Sequence, residues 1–246
     1  MAAGKREYGA GGWVGVGTPQ ANPTVEMEMR RLLPADVEPL TTRLQSAAPD
    51  ADGRLVDYIE RLPDFLGAFD TLRLDAFGFA CTGSSYLVGL EREQALTAAA
   101  SARFGYPVIT AADAIAWALQ DIGAARVALL APYPTRLIER GVAYWRTRDV
   151  EIVAVRQIDL GSPDTRLIYG LSGADACSQL EQLSPVDAEA ILLSGTGMPT
   201  LQALKLARER YAQPVLSSNA CLAWAMLRAV DATVARGGFK RWLAHI

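Results

Sequence analysis

Phe79-Ala-Cys-Thr-Gly-Ser-Ser85 is the stretch from which the fold is read. Asp75-Ala-Phe-Gly-Phe-Ala80, which leads into it, is a short apolar strand. Thr82, Gly83, Ser84 and Ser85 supply turn and N-cap chemistry, and a helical run from Tyr86 to about Ala102 follows. A thiol where a strand turns into a helix faces free backbone N–H groups and the positive end of a helix dipole. Both favour the thiolate and can hold a carboxylate. Taken alone, such a cysteine is as readily a buried packing residue.

The stretch has a second copy. Ala80-Cys-Thr-Gly83 matches Ser194-Gly-Thr-Gly197, each ending a strand and opening a helix. Pro107–Ala118 (PVITAADAIAWA) parallels Pro214–Ala225 (PVLSSNACLAWA), with Trp117 opposite Trp224. Val14-Gly-Val-Gly-Thr-Pro19 aligns loosely with Val127-Ala-Leu-Leu-Ala-Pro132. Strands are expected at Trp13–Gly17, Val37–Arg43, Pro107–Thr110, Arg126–Ala131, Val150–Arg156, Ala190–Leu193 and Pro214–Leu216. Helices are expected at Thr24–Leu33, Asp50–Asp70, Ala111–Gln120, from Thr135 to about Thr147, and at Gly173–Leu183, Pro199–Tyr211 and Asn219–Val230.

This alternation means an α/β fold with mostly parallel sheets. The repeat predicts two pseudo-twofold-related, Rossmann-like lobes, residues 12–120 and 121–230, with tails at 1–11 and 231–246. The last helix is expected to pack back on the first lobe. Ligands in such sheets sit at the carboxyl ends of the strands. A cleft between the lobes would therefore collect Thr18–Asn22, Cys81–Ser85, Tyr133 and Ser194–Met198.

Composition removes several classes of function. The 246 residues, half of them hydrophobic, can bury an ample core, and the net charge of −3 gives no nucleic-acid footprint. Met1–Gly12 lacks an apolar signal core, and no run approaches a membrane helix, so a cytoplasmic protein without a membrane partner is expected. Cys81, Cys177 and Cys221 form no metal-type pair and no disulfide framework. The single histidine, His245, lies next to the C-terminal residue of this sequence. Ser-His-Asp and Cys-His catalysis and multi-histidine zinc sites are thereby excluded. No metal and no cofactor is expected.

A pseudo-twofold axis would place residues 81 and 195 on opposite sides of one small ligand. Two cysteines there could take and return a proton on opposite faces, but the second position is Gly195. One donor on one face suits proton delivery with fixed stereochemistry, or a single covalent attack. Two-base racemisation fits poorly. Thr82, Ser84, Thr196 and backbone N–H groups around Gly83, Gly195 and Gly197 would form an anion site. Tyr133 can reach into the cleft or pack. Pro19, Gln20 and Asn22 can meet the ligand or shape a turn, and Arg43 can pair with a carboxylate or lie on the surface. Cys177 and Cys221 read as packing, Asp75 and Asp187 as turn residues, and the Trp117/Trp224 pair as core.

These residues resemble the aspartate/glutamate racemase superfamily, and within it the arylmalonate decarboxylase and maleate cis-trans isomerase branch. Pro19–Glu28 (PQANPTVEME) is similar to the isomerase's first active-site loop, and Ala80–Ser85 to the first cysteine loop. Pro132-Tyr133 matches the family's ligand-binding tyrosine, and Ser194–Leu201 (SGTGMPTL) the second cysteine loop. The resemblance implies the two-lobed fold and chemistry without a cofactor. Racemases and maleate isomerases carry cysteines in both loops, whereas arylmalonate decarboxylase has one, in the second loop, and a glycine in the first. Here the order is reversed, and Gly83 stands where the decarboxylase has a hydroxyl residue. The resemblance implies a decarboxylase of a substituted malonate in which Cys81 protonates an enediolate. The alternatives are a maleate-type isomerase acting through Cys81, a racemase, or an inactive anion-binding protein. A small carboxylate is the expected partner, and a monomer or small homo-oligomer the expected assembly.

Overall fold

The computed structural model describes residues 6–183 and 187–246; Met1–Lys5, part of the segment read above for a signal core, lie outside them. The first half of the chain runs β1 (Gly12–Pro19), α1 (Thr24–Leu32), β2 (Val37–Leu44), α2 (Ala51–Glu60), α3 (Leu62–Gly67), β3 (Ala76–Phe79), α4 (Thr82–Val88), α5 (Leu90–Phe104), β4 (Val108–Thr110) and α6 (Ala111–Ile122). The second half runs β5 (Arg126–Ala131), α7 (Thr135–Arg146), β6 (Glu151–Gln157), a 3₁₀ turn (Thr165–Gly170), α8 (Gly173–Glu181), β7 (Ala190–Leu193), α9 (Leu201–Arg210), β8 (Val215–Ser217), α10 (Ser218–Ala229) and α11 (Phe239–Leu243). Two four-stranded sheets result, ordered β2-β1-β3-β4 and β6-β5-β7-β8, and every pairing is parallel. The repeat in the sequence is thus a repeat of topology, and the expected α/β class is the one observed.

The inner strands β3, β5 and β7 are buried almost throughout, which is why they read as continuous apolar runs. The repeat also reaches the helix caps. Thr110 accepts from the Asp113 N–H (2.9 Å) to start α6, and its counterpart Ser217 accepts from the Ala220 N–H (3.2 Å) to start α10. Although it follows β8 of the second sheet, α10 packs on the first: Leu222 and Met226 lie directly over Gly78 of β3, where a Cβ would meet the Met226 sulfur at 2.5 Å.

Four expectations need correction. The helix expected over Asp50–Asp70 is two, because Pro63 at the start of α3 cannot donate into a continuing helix. The run expected from Tyr86 starts at Thr82 and breaks at Gly89 into α4 and α5. The helix expected from Pro199 starts at Leu201, since Pro199 and Thr200 belong to the loop. Trp117 is not core. The segment after α10 folds back so that Phe239 packs edge-on against Trp224 at 5.3 Å, whereas Trp117 stays 40% exposed. It lines a surface groove of about 580 Å³ with Ile109 and Arg228.

Candidate active site

The carboxyl ends of β1, β3, β5 and β7 converge on a narrow cavity of about 30 Å³. The first half supplies Pro19, Asn22, Leu55, Cys81 and Gly83 to its wall. The second half supplies Tyr133, Gly195, Thr196 and Gly197, with Thr165, Ile168 and Tyr169 from the 3₁₀ turn. Cys81 and Gly195 therefore face one space, as the repeat requires.

Cys81 is the N-cap of α4, with extended backbone (φ −149°, ψ 92°), and is 4% exposed. Burial pushes its thiol up from the ordinary cysteine value, while the Ser84 hydroxyl and the N–H groups of Ser84 and Gly83 pull it back. The Ser84 oxygen lies 3.2 Å from the sulfur and 2.6 Å from the Leu55 carbonyl. One hydroxyl hydrogen cannot serve both. When it points at Leu55 the oxygen can accept from the thiol, and when it points at the sulfur it supports a thiolate.

Opposite Cys81, Gly195 has φ +121°, a backbone that L side chains rarely adopt. A Cβ there would meet the Pro132 ring at 3.3 Å and the Tyr133 hydroxyl at 3.5 Å. Tyr133 is buried; desolvation, with Tyr86 and Cys81 nearby, raises its phenol well above the ordinary value, against hydrogen bonds to Thr82 and Ser194. It is thus a neutral phenol at the cavity wall.

Ser218, at the first position of α10, joins the two loops. Its oxygen accepts from the Thr82 hydroxyl and from the Gly195 N–H, both at 3.1 Å. Thr196 donates to the Ala80 carbonyl at 2.8 Å and accepts from the Asn22 amide at 3.4 Å. The Asn22 side-chain oxygen meanwhile accepts from the Thr24 N–H (2.9 Å) to start α1. Glu28, on α1, reaches the second loop: its carboxylate accepts from the Thr200 N–H (2.5 Å), the Leu201 N–H (3.2 Å) and the Asn219 amide (2.7 Å). Burial raises the Glu28 carboxyl above the usual range despite these bonds.

Most of the residues expected at a ligand line the cavity, but four do not. Gln20 is exposed and accepts from the Ser46 N–H at 2.9 Å. Arg43 donates to the Asn22 carbonyl at 2.7 Å and pairs with Glu26. Both hold the 19–23 loop from outside the cavity. Thr82 and Ser84 act from behind the wall, through Ser218, Tyr133 and the sulfur.

Reading the sequence missed Ser218, Glu28, Leu55, Ile168 and Tyr169. Ser218 had a signal, since the PVLSS run offers a second hydroxyl beside the cap. The 3₁₀ turn had none, because Thr165–Gly170 falls between the expected elements and carries no motif. Among the described residues, no His, Cys, Asp and Glu side chains gather to hold a metal, and no helix is long and apolar enough to cross a membrane.

Comparison with known proteins gives the chain a family. The family model for arylmalonate decarboxylase matches residues 57–242. Among curated relatives, the maleate isomerase of Geobacillus stearothermophilus is 26% identical over 165 residues, 65% of each chain. That of Nocardia farcinica is 25% identical over 240 residues, 94% of each chain. The arylmalonate decarboxylase of Bordetella bronchiseptica is 29% identical over 162 residues, 65% of this chain and 67% of that one. The chain thus spans about two thirds of the length of the first of these relatives and nearly all of the second.

Three solved structures share the fold. Nocardia farcinica maleate cis-trans isomerase bound to TRIS superposes with a TM-score of 0.82 at 24% identity, over 95% of this chain and 98% of that one. A Cys-to-Ser variant of the same enzyme with a covalently bound succinylcysteine intermediate gives 0.79 at 22%, over 94% and 98%. A liganded arylmalonate decarboxylase in which a glycine is replaced by cysteine and a cysteine by serine gives 0.76 at 25%, over 90% and 94%. With its fold, its paired loops and three quarters of its length inside one family model, this chain is a member of the arylmalonate decarboxylase family, and an enzyme of the branch that also holds the maleate isomerases.

Proposed function

We propose that the chain is a cofactor-independent lyase that decarboxylates a substituted malonate, with Cys81 as the proton donor. The observation that carries this reading is a single buried thiol facing a glycine. Burial keeps the thiol protonated at rest, as a proton donor must be, and Gly195 offers no acid or base on the other face.

One carboxylate is held by the Tyr133 hydroxyl and the Asn22 amide, with Thr82 bracing Tyr133 from behind the wall, where charge builds up in the transition state. The second lies against Leu55 and Ile168, an apolar wall that favours loss of its charge as carbon dioxide. The electron pair of the broken C–C bond stays on the substrate as an enediolate. The α-carbon then takes the Cys81 proton from one face only. The new thiolate is supported by the Ser84 hydroxyl and the N–H groups of Gly83 and Ser84 until it recovers a proton from water, so each turnover consumes one proton. The double variant of arylmalonate decarboxylase with an added cysteine and a removed one has a fold close to this chain's, which supports the exchange of thiol position.

The test is Cys81→Ala and Cys81→Ser on a panel of malonates, with chiral analysis of the product formed in deuterated water. Loss of turnover together with a single deuterated enantiomer in the wild type is expected. Wild-type turnover in both variants would end the reading.

A second reading, maleate-type isomerisation, is favoured by the succinylcysteine found in the Nocardia farcinica variant. Here the Cys81 thiolate adds to the double bond, the carbon–carbon axis rotates, and the thiolate leaves. An intact mass raised by one maleic acid after incubation with maleate supports it, and no adduct with no fumarate counts against it.

A further inference from the structure

The cavity is about 30 Å³, roughly the room one water takes in the liquid, so no diacid enters without movement of its walls. Its roof comes from two separate segments. Leu55 is on α2, and Thr165, Ile168 and Tyr169 are on the 3₁₀ turn of the other half. One ion pair ties these segments together: Arg54, next to Leu55, donates to Asp164, next to Thr165, at 2.9 Å.

We propose that the Arg54–Asp164 ion pair is the clasp of this roof, and that an entering carboxylate opens it by taking the place of Asp164 on Arg54. The inference rests on the cavity being the substrate site, not on which reaction occurs there.

The two partners are unequally placed to part. Asp164 has a second set of donors, the N–H and the guanidinium of Arg166, with contacts between 2.5 and 3.0 Å. Its side chain is 31% exposed, so without Arg54 it remains hydrogen-bonded and wet. Arg54 is 7% exposed, and its other bond is to the Pro49 carbonyl at 3.1 Å. Parted from Asp164 it is a buried cation without an anion, which is costly. A neutral molecule entering the cavity leaves that cost in place, whereas a carboxylate removes it. The exchange therefore selects for anions. Leu55, the neighbour of Arg54, shares the cavity wall with Cys81, so an anion received at Arg54 arrives at the side of the cavity that faces the thiol.

The test compares alkylation of Cys81 in the full chain by iodoacetamide, which is neutral, and iodoacetate, which is a carboxylate. Each is read by mass spectrometry of the Cys81 peptide, with buried Cys221 as the control for unfolding. In Asp164→Asn both reagents should react faster and iodoacetate should gain more, raising the iodoacetate-to-iodoacetamide ratio roughly fivefold, as expected for freeing one part-buried cation. In Arg54→Met iodoacetamide should speed up while iodoacetate does not, so the ratio falls below wild type. If Cys221 reacts in that variant, Arg54→Lys decides: the retained cation should keep the wild-type preference. A ratio equal in wild type, Asp164→Asn and the Arg54 variant, or an Asp164→Asn variant with both rates unchanged, overturns the proposal. Alkylation needs no turnover, so failure of the decarboxylase reading leaves this result intact.

Discussion

Cys81 and Gly195 end equivalent strands, β3 and β7, yet the corners they form are built differently. At the first, the strand passes into α4 with the cysteine at the N-cap position, where the N–H groups of Gly83 and Ser84 favour its thiolate. At the second, residues 194–200 intervene before α9 begins at Leu201, and Gly195 adopts φ +121°. Only the first corner presents a helix N-terminus to the cavity. The second is a plain turn, held by the Glu28 carboxylate and the Ser218 hydroxyl from outside itself. The difference teaches that a shared topology places two loops face to face, while their local backbone decides which one can support charge on sulfur.

The largest effect expected from this contrast is on turnover. Removing the thiol in Cys81→Ala should lower the decarboxylation rate by roughly 10²–10⁴, the range for a positioned general acid. Steady-state kinetics on a malonate checks this, and a comparable loss in Gly195→Ala would break the contrast. Stability separates the corners next. Ser218→Ala leaves the Thr82 hydroxyl and the Gly195 N–H without their buried acceptor and should cost about 1–3 kcal/mol in urea unfolding. Gly195→Cys, which would restore a second thiol, should cost about the same, because its backbone and its contact with the Pro132 ring both resist a Cβ. A fully stable Gly195→Cys protein would show that the corner relaxes. Smaller still are the caps. Thr110→Ala and Ser217→Ala should each cost about 1 kcal/mol, with Ser217 the more sensitive because α10 is buried along nearly its whole length.

Glu28 gives the contrast a pH dependence. Its folded carboxyl is raised by burial above the ordinary value of 4.5. The folded state therefore holds its proton more tightly than the unfolded chain does. The stability this gives is fully present below 4.5 and is lost as pH rises through the folded value. Glu28→Gln should flatten that decline, with its stability rising relative to wild type as pH increases above 4.5. Denaturation midpoints at a series of pH values check it. An unchanged slope would mean that the second loop does not depend on the protonation of Glu28.

The fold was legible because the repeat carries its own punctuation. The PVIT and PVLS runs each give a strand and the cap of the next helix, and the paired Cys-Thr-Gly and Gly-Thr-Gly corners mark where strands end. The facing of residues 81 and 195 follows from that symmetry alone. The roof was not legible, because Leu55 and Ile168 meet only through the docking of two unrelated segments. Arg43 could not be assigned from the sequence for a related reason: a cation near a strand end can serve a ligand or a loop, and only the position of Glu26 decides. Trp117 shows the limit of the repeat itself. Its twin Trp224 is covered by Phe239, a residue from beyond the repeated part of the chain.

The placement of α10 on the first sheet bears on how the chain can be divided. A cut at the Gly123 turn would separate β3 from the helix whose Leu222 and Met226 lie over Gly78. The amino-terminal piece would expose that apolar face, and the carboxyl-terminal piece would carry a helix with no surface to cover. Neither half should therefore fold alone, and the two pieces should regain native structure only when mixed.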